Sequence, residues 1–397
     1  MNRVIKNFLR FGPGLRCIGR FLVTPHTHKP KLFEIFFKLI LSTTLTCLLS
    51  HCVSNQEIKR KDQKGVGASP NLPEKPDVGS EAPGLPELQT LQLTAWFAAP
   101  SKYATQNADI VSLIHKAKLL RVTKIYVSVW GQGCTSFPSK AMINNGALER
   151  CPGFDWLTPM KNAAKSEGVT LIPWLEWGLH VPKDSPLYTK GKLTIIESQT
   201  KAAIENWQGM NAPRLNPFFP NTSAFFSDLI IEAAEHFEAK EVQICDNHAL
   251  KMSQLKALGK SPSDFTLSFL AMLAKPKEKG IVISLAALEH IAANSEYGIN
   301  WPDWRSQGIV SDVISELYHF RTNPDGFAAK AAEEVASGAN QLGVYVGGAG
   351  GWSDEQIYSF ASVAKSLKVG LALFEIGNFV GKKSDQEILD FSKRINK

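Results

Sequence analysis

From Leu88 onward, strand-like and helix-like patterns alternate without a break, and this alternation limits the fold more than any other feature of the chain. Eight runs read as strands: 90–98 (TLQLTAWFA), 122–130 (VTKIYVSVW), 169–177 (VTLIPWLEW), 240–246 (KEVQICD), 281–287 (IVISLAA), 310–318 (VSDVISELY), 341–347 (QLGVYVG) and 369–375 (VGLALFE). Between them, apolar residues recur at helical spacing, as in Phe225, Leu229, Ile230, Ala233, Ala234 and Phe237, or Ile357, Phe360, Ala361, Ala364 and Leu367. Eight strand-then-helix units in about 300 residues predict a TIM barrel. A doubly wound open sheet competes, but it ordinarily carries a glycine-rich phosphate turn after its first strand, and WFAAPSKYA offers none. The links after the second and third strands are far longer than the usual βα loop. Both leave the carboxyl ends of their strands, where barrels keep their chemistry, and are expected to build a deep cleft there.

The remainder of the chain reads differently. A formal charge of +7 over 397 residues invites a nucleic-acid partner until its location is considered. Residues 1–52 hold eight Lys or Arg and one acidic residue, and the other 345 balance at 36 basic against 36 acidic. A neutral body removes the electrostatic case for nucleic acid. The basic stretch precedes LILSTTLTCLLS (Leu39 to Ser50), too short for a bilayer span of roughly 20 residues but suited to a signal peptide. Leu49, Ser50, His51 and Cys52 resemble a bacterial lipoprotein box, which implies lipidation at Cys52 and a membrane anchor; His51 departs from the small residue of that box, so a cleaved signal peptide or an uncleaved anchor stands beside it. Residues 53–87, rich in Lys, Gln, Gly, Pro, Ser and Glu, cannot bury enough apolar surface to offset ordering entropy and are expected to be a disordered tether. The expected organisation is a signal segment (1–52), a tether (53–87) and a barrel (88–397), exported to the cell envelope of a bacterium.

Cysteines and histidines narrow the chemistry. Cys134 and Cys151 share the long loop after the second strand, and in an oxidising compartment they are expected to form a disulfide. There is no Cys-x-x-Cys pair and no His-Glu-x-x-His helix, and the first strand lacks a His-x-His, so no metal is expected. No small-molecule cofactor motif is present either. His180, His248 and His319 fall near strand exits and leave one metal reading, a hydrolase using His180, His248 and Asp246; the plainer reading is hydrogen-bonding histidines in a wet cleft.

Lys240 to His248, KEVQICDNH, is a β-branched run ending in Cys245, Asp246, Asn247 and His248, a poor way to build a core. The other strand exits deliver Trp130, then Trp174, Glu176 and Trp177, then Glu289, Glu316 with Tyr318, and Glu375. Converging carboxylates and aromatics suit sugar chemistry: indole faces stack on pyranose rings, one carboxylic acid protonates the leaving oxygen, and a second carboxylate is nucleophile or base. Each residue also has a structural reading, the tryptophans as packing and the glutamates as a polar network closing the barrel top. Asp246 stands out because a carboxylate after a continuous apolar strand must find a partner or a role.

Several longer phrases, TKIYVSVWGQGCTSFPS, LIPWLEWGLHVP, RLNPFFPNTSAFFSDLIIEAAEHF leading into EVQICDNH, and ISLAALEHIAANSEYGINWPDW followed by ISELYHF, together resemble the glycosyl hydrolase-like family 10 over roughly residues 90–380. The resemblance implies a TIM barrel, an export signal or lipoprotein anchor, and action on a polysaccharide, with bacterial cell-wall glycan as the substrate class. By position, Trp130 matches the aromatic closing the second strand, Trp174 and Glu176 the aromatic and acid of the third, Asn216 and Pro217 an Asn-Pro turn, and Trp301 and Trp304 a Trp-Pro-x-Trp element. Two departures stand out. Cys245 precedes Asp246 where relatives carry two consecutive aspartates, and Glu316 stands two positions before Tyr318 where relatives carry glutamine.

The expected constellation is therefore Asp246 as nucleophile or base with Glu316 or Glu176 as general acid, Trp130, Trp174 and Trp301 lining a sugar cleft, and Asn216, Asn247, His248 and Tyr318 donating hydrogen bonds. The alternative is a catalytically inactive glycan-binding lipoprotein on the same barrel, which Cys245 motivates. Strand parity frames the choice. It puts Gln243 and Cys245 on one face and Ile244 and Asp246 on the other, so Asp246 reaches the cleft only if the strand ends or bends there.

Overall fold

The computed structural model describes residues 91–397 apart from 99–106, 154, 191, 201–205, 208–209, 319, 321–323 and 347–351. The signal segment, Cys52, the tether 53–87 and His319 lie outside the described residues. Eight parallel strands close in chain order into a barrel: β1 (Leu93–Phe97), β2 (Val122–Ser128), β3 (Thr170–Leu175), β4 (Glu241–Cys245), β5 (Val282–Ala287), β6 (Asp312–Glu316), β7 (Gln341–Tyr345) and β8 (Gly370–Phe374), which pairs back onto β1. A helix follows each in turn: α1 (Asn107–Leu119), α2 (Leu157–Glu167), α3 (Pro220–Phe237), α4 (Pro262–Glu278), α5 (Trp301–Ser306), α6 (Pro324–Ala336), α7 (Asp354–Ser366) and α8 (Asp385–Ile395). This is the TIM barrel the alternation predicts, with strands somewhat shorter than the apolar runs suggest because those runs continue into the turns. Ser261, Ser353 and Ser384 start α4, α7 and α8 with reciprocal capping boxes, which satisfy backbone N–H groups that a helix start leaves unpaired. Among the described residues no helix is long and apolar enough to cross a membrane.

Parity sorts the core into two layers. Outward residues such as Val242 and Ile244 join the large apolar layer between barrel and helices. Inward residues, Trp96, Tyr126, Ile172, Trp174, Cys245, Ala286, Ile314 and Ala372, form a separate cluster inside the barrel. The interior takes a large ring only beside a small neighbour: a Cβ at Gly343 of β7 would lie 3.1 Å from the Trp96 ring. Two pairs of buried polar groups there are matched to each other. Trp96 Nε1 donates to Gln243 Oε1 at 2.6 Å and Thr94 Oγ1 to Gln341 Oε1 at 2.5 Å.

The two long links are structured. After β2, a hairpin (Trp130–Gly131 with Cys134–Thr135) leads to a short helix, Lys140–Asn144, whose first turn is capped by Ser139 Oγ accepting from the Met142 N–H. Cys134 and Cys151, 17 positions apart, are joined by the expected disulfide. Replacing both with Ala is expected to cost about 3 kcal/mol through the freed loop entropy of the unfolded chain, read as a lower urea midpoint. An unchanged midpoint would show that the loop is held without the bridge. After β3, the chain passes through Pro186–Thr189 and Ile196–Thr200 and a second hairpin, Asn206–Trp207 with Met210–Asn211, before isolated bridges His180 to Arg214 and Ile195 to Leu215 fold the link back on itself.

Candidate active site

The strand does end where parity needs it to. β4 stops at Cys245, and Asp246–His248 form one turn of 3-10 helix closed by the Ala249 N–H on the Asp246 carbonyl at 2.7 Å. The turn swings the Asp246 side chain back toward the barrel axis, where its Oδ1 accepts from the inward Cys245 thiol at 3.0 Å. Glu316, the last residue of β6, approaches from two strands away. Cys245 Sγ and one carboxylate oxygen each of Asp246 and Glu316 lie within 4.8 Å of one another. The turn is tied to the link after β3: Asn247 Nδ2 donates to the Glu176 carbonyl at 2.8 Å and to Cys245 Sγ at 3.2 Å, and the Leu179 N–H donates to the Asn247 carbonyl at 3.0 Å.

Burial and mutual repulsion separate the two acids. Burial pushes Glu316 well above the usual carboxylate range, and the negative charges of Asp246 and Glu176 push it further. Burial also raises Asp246, but the Cys245 thiol, the backbone N–H groups of Asn247 and Leu288 and the Arg214 guanidinium all oppose it. Asp246 is therefore the member that ionises first, and Glu316 keeps the proton. Burial first, then Asp246 and Glu316, hold the Cys245 thiol protonated as a donor, and the same surroundings keep Tyr318 a neutral phenol. One carboxylate beside one carboxylic acid is the protonation pattern that general acid–base chemistry needs.

Glu316→Gln tests this division in two ways. If Glu316 is the proton donor, the alkaline limb of the pH–rate profile belongs to it and disappears in the variant along with most of the rate. The stability consequence has a definite sign. Because the folded-state value is raised, the folded chain binds more protons than the unfolded one between the ordinary Glu value and the raised one, so stability falls as pH rises through that window. The variant should be more stable than the parent above the window and should lose that slope, measured as urea midpoints across pH. Parallel curves for the two proteins would refute the assignment.

Aromatic rings surround the pair. Trp96 is the hub, with ring centroids 6.0 Å from Tyr126, 6.3 Å from Trp174, 6.4 Å from Tyr318 and 6.1 Å from Phe374. Tyr318 stacks on Phe374 at 5.4 Å, and Tyr345 is 5.5 Å from Phe374. Tyr318, Tyr345 and Phe374 are half-buried, while Trp96 and Trp174 form the buried floor. The buried Trp174 Nε1 finds no partner among the described residues. Trp96, Tyr345 and Phe374 were not singled out from the sequence. The signal was available in the parity that pairs each with an inward residue two positions earlier, Thr94, Gly343 and Ala372.

Several residues expected at the cleft are placed elsewhere. Trp130 is 0% exposed, donates Nε1 to the Gly178 carbonyl at 2.8 Å and packs its rings against Phe225 and Phe226 of α3, so it closes the outer core. Trp301 is also 0% exposed and donates to the Leu288 carbonyl at 3.1 Å. Asn216 is buried in its own turn, accepting from the Phe218 N–H and donating to Gln199. His248 lies against Phe226 with centroids 4.9 Å apart, and burial lowers its pKa to about 3, so it stays neutral. Glu289 pairs with Lys330 at 3.0 Å, and Glu375 caps the helix Ile376–Val380 through the Gly377 N–H at 3.1 Å. Glu176 is buried beside the pair and acts on Glu316 and Tyr318 through its charge. His180 accepts from Arg214 Nε at 2.9 Å. Among the described residues the atoms close enough to share a metal ion are those of Cys245, Asp246 and Glu316, and neither His180 nor His248 joins them.

The fold is a TIM barrel. Residues 90–267 match the family model for Glycosyl hydrolase-like 10, which bears out the resemblance carried by the motifs in that stretch. The glycoside hydrolase domain of PgaB (BpsB) from Bordetella bronchiseptica superposes with a TM-score of 0.55 at 15% identity, covering 76% of this chain and 99% of that domain. The spore cortex-lytic enzyme SleL of Bacillus megaterium QM B1551 superposes with a TM-score of 0.48 at 10% identity, covering 80% of this chain and 76% of that one. At these identities the likeness is one of fold. A search of curated protein sequences returned no match.

Proposed function

We propose that the barrel is an exported glycoside hydrolase that cleaves a bacterial cell-envelope polysaccharide. The observation that carries this is the Asp246–Glu316 pair, two carboxyl groups with oxygens within 4.8 Å at the carboxyl ends of β4 and β6, with Glu316 the harder of the two to ionise and with half-buried aromatic rings at the rim. In the reaction so read, the Glu316 O–H delivers its proton to the glycosidic oxygen as the anomeric C–O bond breaks. The Asp246 carboxylate attacks the anomeric carbon, held by the Cys245 thiol that donates to it. Water, deprotonated by Glu316, then releases the sugar and restores both groups. The short separation suits this two-step, retaining course, for which roughly 5–5.5 Å is usual, better than the 6.5–9.5 Å that leaves room for an inverting water. The disulfide supports an oxidising, extracytoplasmic location, and a lipid anchor at Cys52 is part of the same proposal. The likeness to a PgaB glycoside hydrolase domain agrees with a polysaccharide substrate.

The test is to incubate the purified protein with peptidoglycan glycan strands and with other bacterial polysaccharides and to read products by mass. New reducing ends that accumulate with time are expected. Saturable binding of oligosaccharide with no product after long incubation would replace this reading with the inactive glycan-binding protein, for which Cys245 in the place of a first aspartate is the specific argument.

A further inference from the structure

Behind the site, on the helix side of the barrel, lies a carboxylate that touches neither cleft nor solvent. Glu334 of α6 is 0% exposed. Its carboxylate accepts Ser315 Oγ–H at 2.9 Å and the His290 N–H at 3.0 and 3.3 Å, and it pairs with His290 Nδ1 at 2.8 Å. Lys330 Nζ stands 3.4 Å from it while also reaching Glu289 at 3.0 Å and Glu333 at 3.1 Å, and His290 Nε2 is 3.7 Å from Glu333. A carboxylate so deeply buried persists only when charge and hydrogen bonds are matched this fully.

Of the two elements it joins, one carries Glu316, and the other follows β5, the strand paired with β4, whose end carries Asp246. Ser315 is the outward neighbour of Glu316 on β6, so its hydroxyl meets α6 while Glu316 faces the barrel top. His290 begins the helix His290–Tyr297 after β5. Two residues before it, the Leu288 N–H lies close enough to the Asp246 carboxyl to favour its ionised form, and the Leu288 carbonyl is held from the other side by Trp301 Nε1. We propose that Glu334 is a positioning residue that sets the spacing of Asp246 and Glu316, by gripping the end of β6 through Ser315 and the Leu288–His290 segment through His290. The proposal rests on the reading of Asp246 and Glu316 as the reacting pair. It assigns a catalytic consequence to α6, a helix whose acid never meets substrate, and it gives Trp301 a share in the same grip.

A displacement of about 1 Å between reacting groups is enough for a rate loss on the order of 10²-fold. In the full-length protein, Glu334→Gln keeps the side chain's volume and removes its charge and one acceptor. Expected is a fall in kcat of about 10²-fold with KM within about twofold, because the aromatic rings that would hold the sugar are untouched. The second readout needs no turnover. Carboxyl ¹³C titration by NMR, assigned with Asp246→Asn and Glu316→Gln, should show the Glu316 titration moving down toward the ordinary carboxylate range in Glu334→Gln as the pair loosens. Ser315→Ala, which removes only the arm to β6 and serves if Glu334→Gln fails to fold, should move the Glu316 titration with less effect on Asp246. Unchanged titrations in a folded variant would overturn the proposal. If the parent protein turns over no glycan, the proposed activity fails, and the titrations still decide whether Glu334 sets the spacing of the pair.

Discussion

Asp246→Asn is expected to lower glycan turnover by about 10²–10⁴-fold, the contribution of a positioned acid–base group, while the protein folds as before. The substitution conserves shape and leaves an oxygen to accept from the Cys245 thiol, which donates to Asp246 Oδ1 at 3.0 Å. It removes the negative charge that, after burial, does most to raise Glu316. Two effects should therefore appear together: the rate falls, and Glu316 titrates closer to the ordinary Glu value. Stability should hold or rise, since one of two repelling acids is gone. Reducing-end assays across pH, with circular dichroism as the fold control, measure both. Turnover equal to the parent would remove Asp246 from the mechanism and with it the argument from the end of β4.

Gly178→Ala is expected to be the most damaging single-methyl change on this face of the barrel, at about 3 kcal/mol or more. Gly178 has φ +52°, in the left-handed region, and a Cβ there would fall 2.1 Å from the Asn247 carbonyl carbon and 2.3 Å from the Asn247 oxygen and the His248 nitrogen. Those are backbone atoms, so no rotamer change relieves the clash. The Asp246–His248 turn itself would have to move, and the Gly178 carbonyl that receives Trp130 Nε1 would move with it. Loss of stability, read as a lower urea midpoint, and loss of turnover should thus accompany one another. A variant that keeps parental stability would mean that the turn has about 1 Å of slack, and the close tie between the β3 link and Asp246 would no longer explain how the acid is held.

The two changes act at one junction, and it separates what the amino-acid pattern reveals from what it hides. That eight strands would form, and nearly where, was legible because a continuous apolar run bounded by helical periodicity has one economical solution in a barrel. The disulfide was legible from two cysteines in one loop, and Asp246 and Glu316 were legible as carboxylates at strand exits. The direction of a side chain at such an exit was not. Trp130 and Trp174 look alike in sequence, each an aromatic near the end of an apolar run. Trp174 points into the barrel because it is still on the inward face of β3. Trp130 is carried by a hairpin outside the barrel and is pressed onto Phe225 and Phe226. Trp96, Tyr345 and Phe374 went unnoticed because each reads as one more apolar residue within its strand, and only closure of the barrel brings strands β1, β7 and β8 around one axis.

The sequence by itself determined the class of fold, the strand count, the cysteine pair and the residue types available for chemistry, because hydrophobic periodicity and spacing are local properties that survive without partners. Tertiary structure alone decided that β4 stops at Cys245, that the turn brings Asp246 back within 4.8 Å of Glu316, and that burial beside a second acid makes Glu316 the harder of the two to ionise. A single turn of backbone reverses the facing that strand parity assigns to Asp246. That turn is held by contacts from Glu176, 71 positions before Asn247, and from Leu179, and distance of that kind leaves no periodic trace in a sequence.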